Sequence, residues 1–121
     1  MPRVIHFEIN ADNPERAVKF YSSVFGWKIR KWAGPVDYWL AATGEESEMG
    51  INGAIKPREN NLTTVNSVSV SSLDESLIKV AQTGGKIIQP KEALPGLGYS
   101  ARCQDSEGNV FGIWQFDSKA K

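Results

Sequence analysis

Histidine and cysteine are nearly missing from this 121-residue chain, with one of each, His6 and Cys103. A lone cysteine cannot close an internal disulfide, which leads us to expect a reducing, cytoplasmic setting. There is no excess charge either: 14 Lys and Arg stand against 14 Asp and Glu. That balance argues against a basic nucleic-acid binder and against an acidic disordered segment. No apolar run approaches the ~20 residues that span a bilayer, so no membrane partner is expected. Arg3 leads straight into a strand-like stretch rather than an apolar signal segment, so no secretory leader is expected. What remains is a chain of single-domain length, able to bury roughly two thirds of its unfolded surface without a disulfide.

Eleven glycines and six prolines cut the chain into short segments. Ile5, Phe7 and Ile9 alternate with His6, Glu8 and Asn10, the two-residue period of a strand. Asp12-Asn13-Pro14-Glu15 then reads as a helix start, and Ala17, Val18, Phe20, Tyr21 and Val24 follow at helical spacing up to Gly26. Strands are expected over Trp27–Trp32, Val36–Ala42 and Met49–Ile55. The order recurs: a strand with Val68 and Val70, a helix from Asp74 to the pair Gly84-Gly85, then strands over Lys86–Gln89, Tyr99–Cys103 and Val110–Phe116. Pro90, Pro95 and Gly96 mark a loop.

A gapless shift of 59 residues pairs Ile9 with Val68, Val18 with Leu77, Tyr21 with Val80, Gly26 with Gly85 and Gly53 with Gly112. The chain therefore reads as one domain of two βαβββ units, about 3–56 and 65–117, joined by a polar linker at about 57–64. The expected class is α+β, with curled mixed sheets around a cleft and the helices on the convex face. Phe7, Ile9, Val68 and Val70 are expected to pack against Val18, Tyr21, Leu77 and Val80.

Two such units resemble the vicinal oxygen chelate superfamily, which includes glyoxalase I, bleomycin resistance proteins and extradiol dioxygenases. The segment from His6 to Tyr21 is similar to the family's opening strand and helix, Phe25-Gly26-Trp27 to the junction after it. Asp105-Ser106-Glu107-Gly108-Asn109 followed by Val110–Trp114 is similar to its last hairpin. The resemblance covers nearly the whole chain and specifies fold more than reaction.

Metal-dependent members hold a divalent ion with His or Gln on the first strand of each unit and Glu on the fourth. His6 matches one position. Counting from Asp105 in the final turn, the resemblance puts the family's glutamate position at Gly112. The repeat shift gives Val65 and Gly53 as the counterparts of His6 and Gly112, and none of these three has a side-chain donor atom. No metal or other cofactor is therefore expected; a divalent ion would need Glu8, or Glu45, Glu46 or Glu48 from a nearby turn. His6 is either catalytic or a polar residue satisfied by Glu8, Asn10 or water, and no catalytic residue is assigned. Cys103 reads as a packed residue rather than a nucleophile.

Trp27, Trp32, Trp39, Trp114, Tyr38 and Tyr99 lie on strands or strand ends, which suits an aromatic-lined pocket. By alternation the expected ligand-binding face holds His6, Glu8, Asn10, Ser67, Ser69 and Trp114; of Tyr38 and Trp39, one faces inward. Two readings of function follow. The first is a protein that binds a small organic molecule in a concave cleft without the usual metal. The second is a lyase, isomerase or dioxygenase with an altered metal site around His6 and an acid. An interaction domain is a third reading. The resemblance also implies a homodimer, in which paired chains cover strand edges and apolar surface.

Overall fold

The computed structural model describes residues 2–121, and all statements below concern these. The elements run β1 (Arg3–Ala11), α1 (Pro14–Phe25), β2 (Lys28–Lys31), β3 (Trp39–Ala42), β4 (Gly53–Pro57), β5 (Thr64–Ser69), α2 (Leu73–Gln82), β6 (Lys86–Leu94), β7 (Gly98–Gln104) and β8 (Val110–Phe116). The class is α+β, with mixed parallel and antiparallel pairing. No helix is long and apolar enough to cross a membrane.

The chain divides into two compact units, His6–Val65 and Asn66–Lys121, the second including the segment up to Ile5. In the first, the strands lie in the order β2-β3-β4-β1, with β1 and β4 parallel and the other pairs antiparallel. In the second, the order is β5-β8-β7-β6, again with one parallel pair, β5 and β8.

Local chemistry explains the helices. The Asn13 side chain caps α1 by accepting from the Arg16 N–H, Pro14 occupies the first turn, and Gly26 ends the helix at φ 70°. Ser72 caps α2 in the same way, through the Glu75 N–H. Leu73, Ala101, Cys103 and Ile113 form the core of the second unit, with Val70, Leu77, Val80, Tyr99 and Phe111 against it. In the first unit, Phe7 is only half-buried and meets the Trp27 ring at 5.8 Å; Trp27 in turn stacks on Tyr21 at 5.1 Å.

Three expected boundaries differ. The loop foreseen at Pro90 is strand: β6 continues to Leu94, and its register shifts on either side of Gln89. Proline is tolerated there because β6 lies at the end of its unit's strand order and the ladder is already irregular. The strand expected from Met49 starts at Gly53, because Thr43 holds the preceding chain as a turn. Its Oγ1 donates to the Ile51 carbonyl at 2.6 Å, and its N–H donates to Asn52 Oδ1 at 2.9 Å. β3 begins at Trp39, three residues later than Val36.

The stretch expected as a linker is tied down. Arg58 donates to Asp12 at 2.7 Å and to the Leu62 carbonyl at 2.6 Å, while its backbone N–H donates to the Ala11 carbonyl. Asn10, only 5% exposed, donates to the Thr63 carbonyl and accepts from the Glu59 N–H.

Candidate functional site

Side chains alternate across a strand, so register decides which residues share a face. In the first unit Glu8 lies opposite Ala54, Ala54 opposite Leu40, and Leu40 opposite Arg30. His6, Tyr38, Lys28 and Lys56 belong to the same face by alternation. Phe7, Gly53, Trp39 and Ile29 belong to the other, where Phe7 meets the Trp27 ring that stacks on Tyr21 of α1. The first face is free of the helix.

On it, three residues form a hydrogen-bonded chain. Tyr38 Oη donates to Glu8 Oε2 at 2.6 Å, and His6 Nε2 lies 2.9 Å from the same phenol oxygen. A phenol has one proton. Because that proton goes to the carboxylate, the phenol oxygen must accept from His6, which makes the imidazole the Nε2–H tautomer with its lone pair at Nδ1. Burial lowers the His6 pKa below its ordinary value, and the nearby Glu8 charge opposes the shift in part. The neutral ring is favoured at pH 7. Its Nε2 partner is Tyr38, a residue not among those expected to satisfy it.

The arrangement offers a hydrogen-bonding constellation of neutral imidazole, phenol and carboxylate, its rotamers locked by mutual bonds. Asn10, expected beside it as a ligand contact, spends both ends of its amide on the segment after β4. Tyr38 is the residue that alternation alone left undecided against Trp39. The ring of Trp39 carries Lys31 Nζ at 5.3 Å on the opposite face.

In the second unit Ser67 lies opposite Gly112 and Ser69 opposite Trp114, so these four share a face, joined by Ser100 and Arg102 of β7. Trp114 meets Phe116 edge-on at 5.5 Å. The opposite face carries Ala101, Cys103 and Ile113 into the core under α2. Burial raises the Cys103 pKa, which keeps it a thiol.

The fold implies a divalent metal, and the side chains present do not fit one. Val65 is buried and has no donor. A Cβ added at Gly112 would stand 2.8 Å from Ser67 Oγ, so a longer side chain has no room there as Ser67 stands. Gly53 is not on the His6 face at all: it lies opposite Phe7, and a Cβ there would stand 2.6 Å from that ring. The fourth-strand residue on the His6 face is Ala54, one position on from where the repeat shift points. Glu48 folds back to accept from the Glu45 N–H in its own turn. Among the described residues, no group of three or more His, Cys, Asp and Glu could hold an ion.

The Glyoxalase/Bleomycin resistance protein/Dioxygenase superfamily model matches residues 3–113. No curated protein sequence matches the chain significantly. Among solved structures, a hypothetical protein from Bacillus halodurans is similar at a TM-score of 0.69 and 15% identity, covering 99% of this chain and 98% of its own. Streptomyces coelicolor methylmalonyl-CoA epimerase, in complex with 2-nitronate-propionyl-CoA, gives 0.68 and 11% identity over 98% of this chain and 97% of its own. The methylmalonyl-CoA epimerase of Mycobacterium tuberculosis gives 0.67 and 11% over 94% and 87%. At such identities these likenesses establish the fold alone. By the match of its sequence over residues 3–113, supported by that fold, the chain belongs to the Glyoxalase/Bleomycin resistance protein/Dioxygenase superfamily.

Proposed function

We propose that the protein binds a small organic molecule on the helix-free faces of its strands, without the usual metal. The observation that carries this reading is the His6–Tyr38–Glu8 chain. It engages Nε2 of the one side chain matching a metal position and offers a polar constellation suited to a ligand's carbonyl or hydroxyl. Ser67, Ser69 and Trp114 supply a mixed polar and aromatic surface of the same kind in the second unit. The homodimer implied by the family belongs to the proposal; Phe20, Val24 and Phe25 stand more than half exposed along α1, apolar surface that a second copy would cover.

The test is metal analysis of the purified protein together with a fragment-binding screen read by amide NMR. Binding that shifts the amides around His6 and Tyr38 in metal-free protein supports the proposal. A stoichiometric divalent ion whose removal abolishes turnover overturns it, in favour of a metal-dependent lyase, isomerase or dioxygenase built on His6 and Glu8.

A further inference from the structure

The face that carries His6, Tyr38 and Glu8 has a second polar end. Arg30, Leu40, Ala54 and Glu8 make one row across four strands, and Lys28 stands opposite Ala42 on the same face. Three strand spacings put the Arg30 and Glu8 backbones ~14 Å apart. Leu40 and Ala42 supply the apolar side chains between the two ends, while Ala54 itself is fully buried. Neither Lys28 nor Arg30 makes a salt bridge among the described residues, whereas Lys31, on the opposite face, pairs with Asp37 at 3.2 Å. Glu8 is the one carboxylate that these four strands put on the face by register, and it lies at the far end from Lys28 and Arg30; the third cation of the face, Lys56, is paired with Glu59 at 3.1 Å.

We propose that the ligand of this face is an elongated organic acid. Its carboxylate or phosphate sits on Arg30 and Lys28, a short apolar middle crosses Leu40, and a carbonyl or hydroxyl reaches the His6–Tyr38–Glu8 chain. The inference rests on reading this face as the binding surface and adds the ligand's charge and direction. Orientation follows from electrostatics: an anionic group is attracted by the two cations and repelled by Glu8, so the reversed pose is disfavoured. The flexible arginine and lysine stems shorten the span to the reach of a six-carbon chain.

Three probes of one length separate the possibilities: 6-hydroxyhexanoate, 1,6-hexanediol and 6-amino-1-hexanol, each titrated into the full-length protein and followed by amide NMR. The hydroxy acid is expected to shift amides of β1, β2 and β3 together and to bind at least about five-fold more tightly than the diol, with the amino alcohol weakest. The Lys28→Ala/Arg30→Ala double variant, altered at exposed positions, should bring the acid down to the level of the diol. If the diol binds as well as the acid, or the double variant keeps the preference, the acid assignment falls while binding on the face stands. If no probe shifts the amides around His6 and Tyr38, both readings fall.

Discussion

Gly53→Ala tests the register on which the face assignments depend. Gly53 lies opposite Phe7 in the parallel β1–β4 pair, and an added Cβ would stand 2.5 Å from the Phe7 carbonyl oxygen and 2.6 Å from its ring. The ring can rotate away only by giving up its contact with Trp27. The carbonyl is backbone and can retreat only by opening the strand pair. Overpacking of this kind costs ~1–3 kcal/mol, and the double conflict places Gly53→Ala near ~3 kcal/mol. With a urea m-value of ~1–3 kcal/mol/M, the midpoint should fall by more than about 1 M. Gly112→Ala is the control. Its added Cβ meets first the Ser67 hydroxyl at 2.8 Å, the end of a short side chain, so Gly112→Ala/Ser67→Ala should recover most of whatever Gly112→Ala loses. Equilibrium urea unfolding followed by tryptophan fluorescence reads all three. A Gly53→Ala midpoint within about 0.3 M of wild type would refute the placement of Gly53 beside Phe7, and with it the division of the two faces.

Four further outcomes follow from the same geometry. Tyr38→Phe removes a charge-assisted bond and the acceptor for His6, and should lower stability by ~1–2 kcal/mol, the lower part of the range for partly buried bonds, checked by urea unfolding. Glu8→Gln removes the charge that opposes burial, so the His6 pKa should fall further, read by NMR titration of the ring protons. Because the folded-state His6 pKa lies below that of the unfolded chain, the unfolded state takes up its proton first as pH drops. Stability should therefore be highest above the unfolded histidine value and decline as pH falls toward the folded one; His6→Gln should flatten that slope in unfolding curves between pH 7.5 and 5. Finally, light scattering should report a dimer at micromolar concentration, and a 13 kDa particle throughout would remove the homodimer.

The local code of this chain is written in period and punctuation. Asn13, Pro14 and Gly26 bound α1 where the sequence places them, and Ser72 starts α2 just before its acidic first turn. The two-residue alternation of β1 puts His6 and Glu8 on one face without any knowledge of their neighbours. The lack of donor atoms at Val65, Gly53 and Gly112 is likewise plain from residue type. A helix turn or a strand's alternation is specified within a few residues, so these features need no tertiary context.

Register between strands is a different matter, because in the parallel pairs β1–β4 and β5–β8 it is settled between residues 46 and 45 positions apart, and a slip of one residue exchanges the faces. The repeat shift of 59 holds from β1 to β5 and at the helix N-caps, Asn13 and Ser72, yet fails by two at the C-caps, Gly26 and Thr83, and by one between β4 and β8: Ala54, and not Gly53, shares the His6 face. The same long-range pairing brings Tyr38 to residues 30 and 32 positions away. It also aligns Arg30 with Glu8 across two intervening strands, and it ties the Asn10 amide to the chain after β4. Periodicity along the chain determined which residues could form a face; only the packing of strand against strand decided which of them meet.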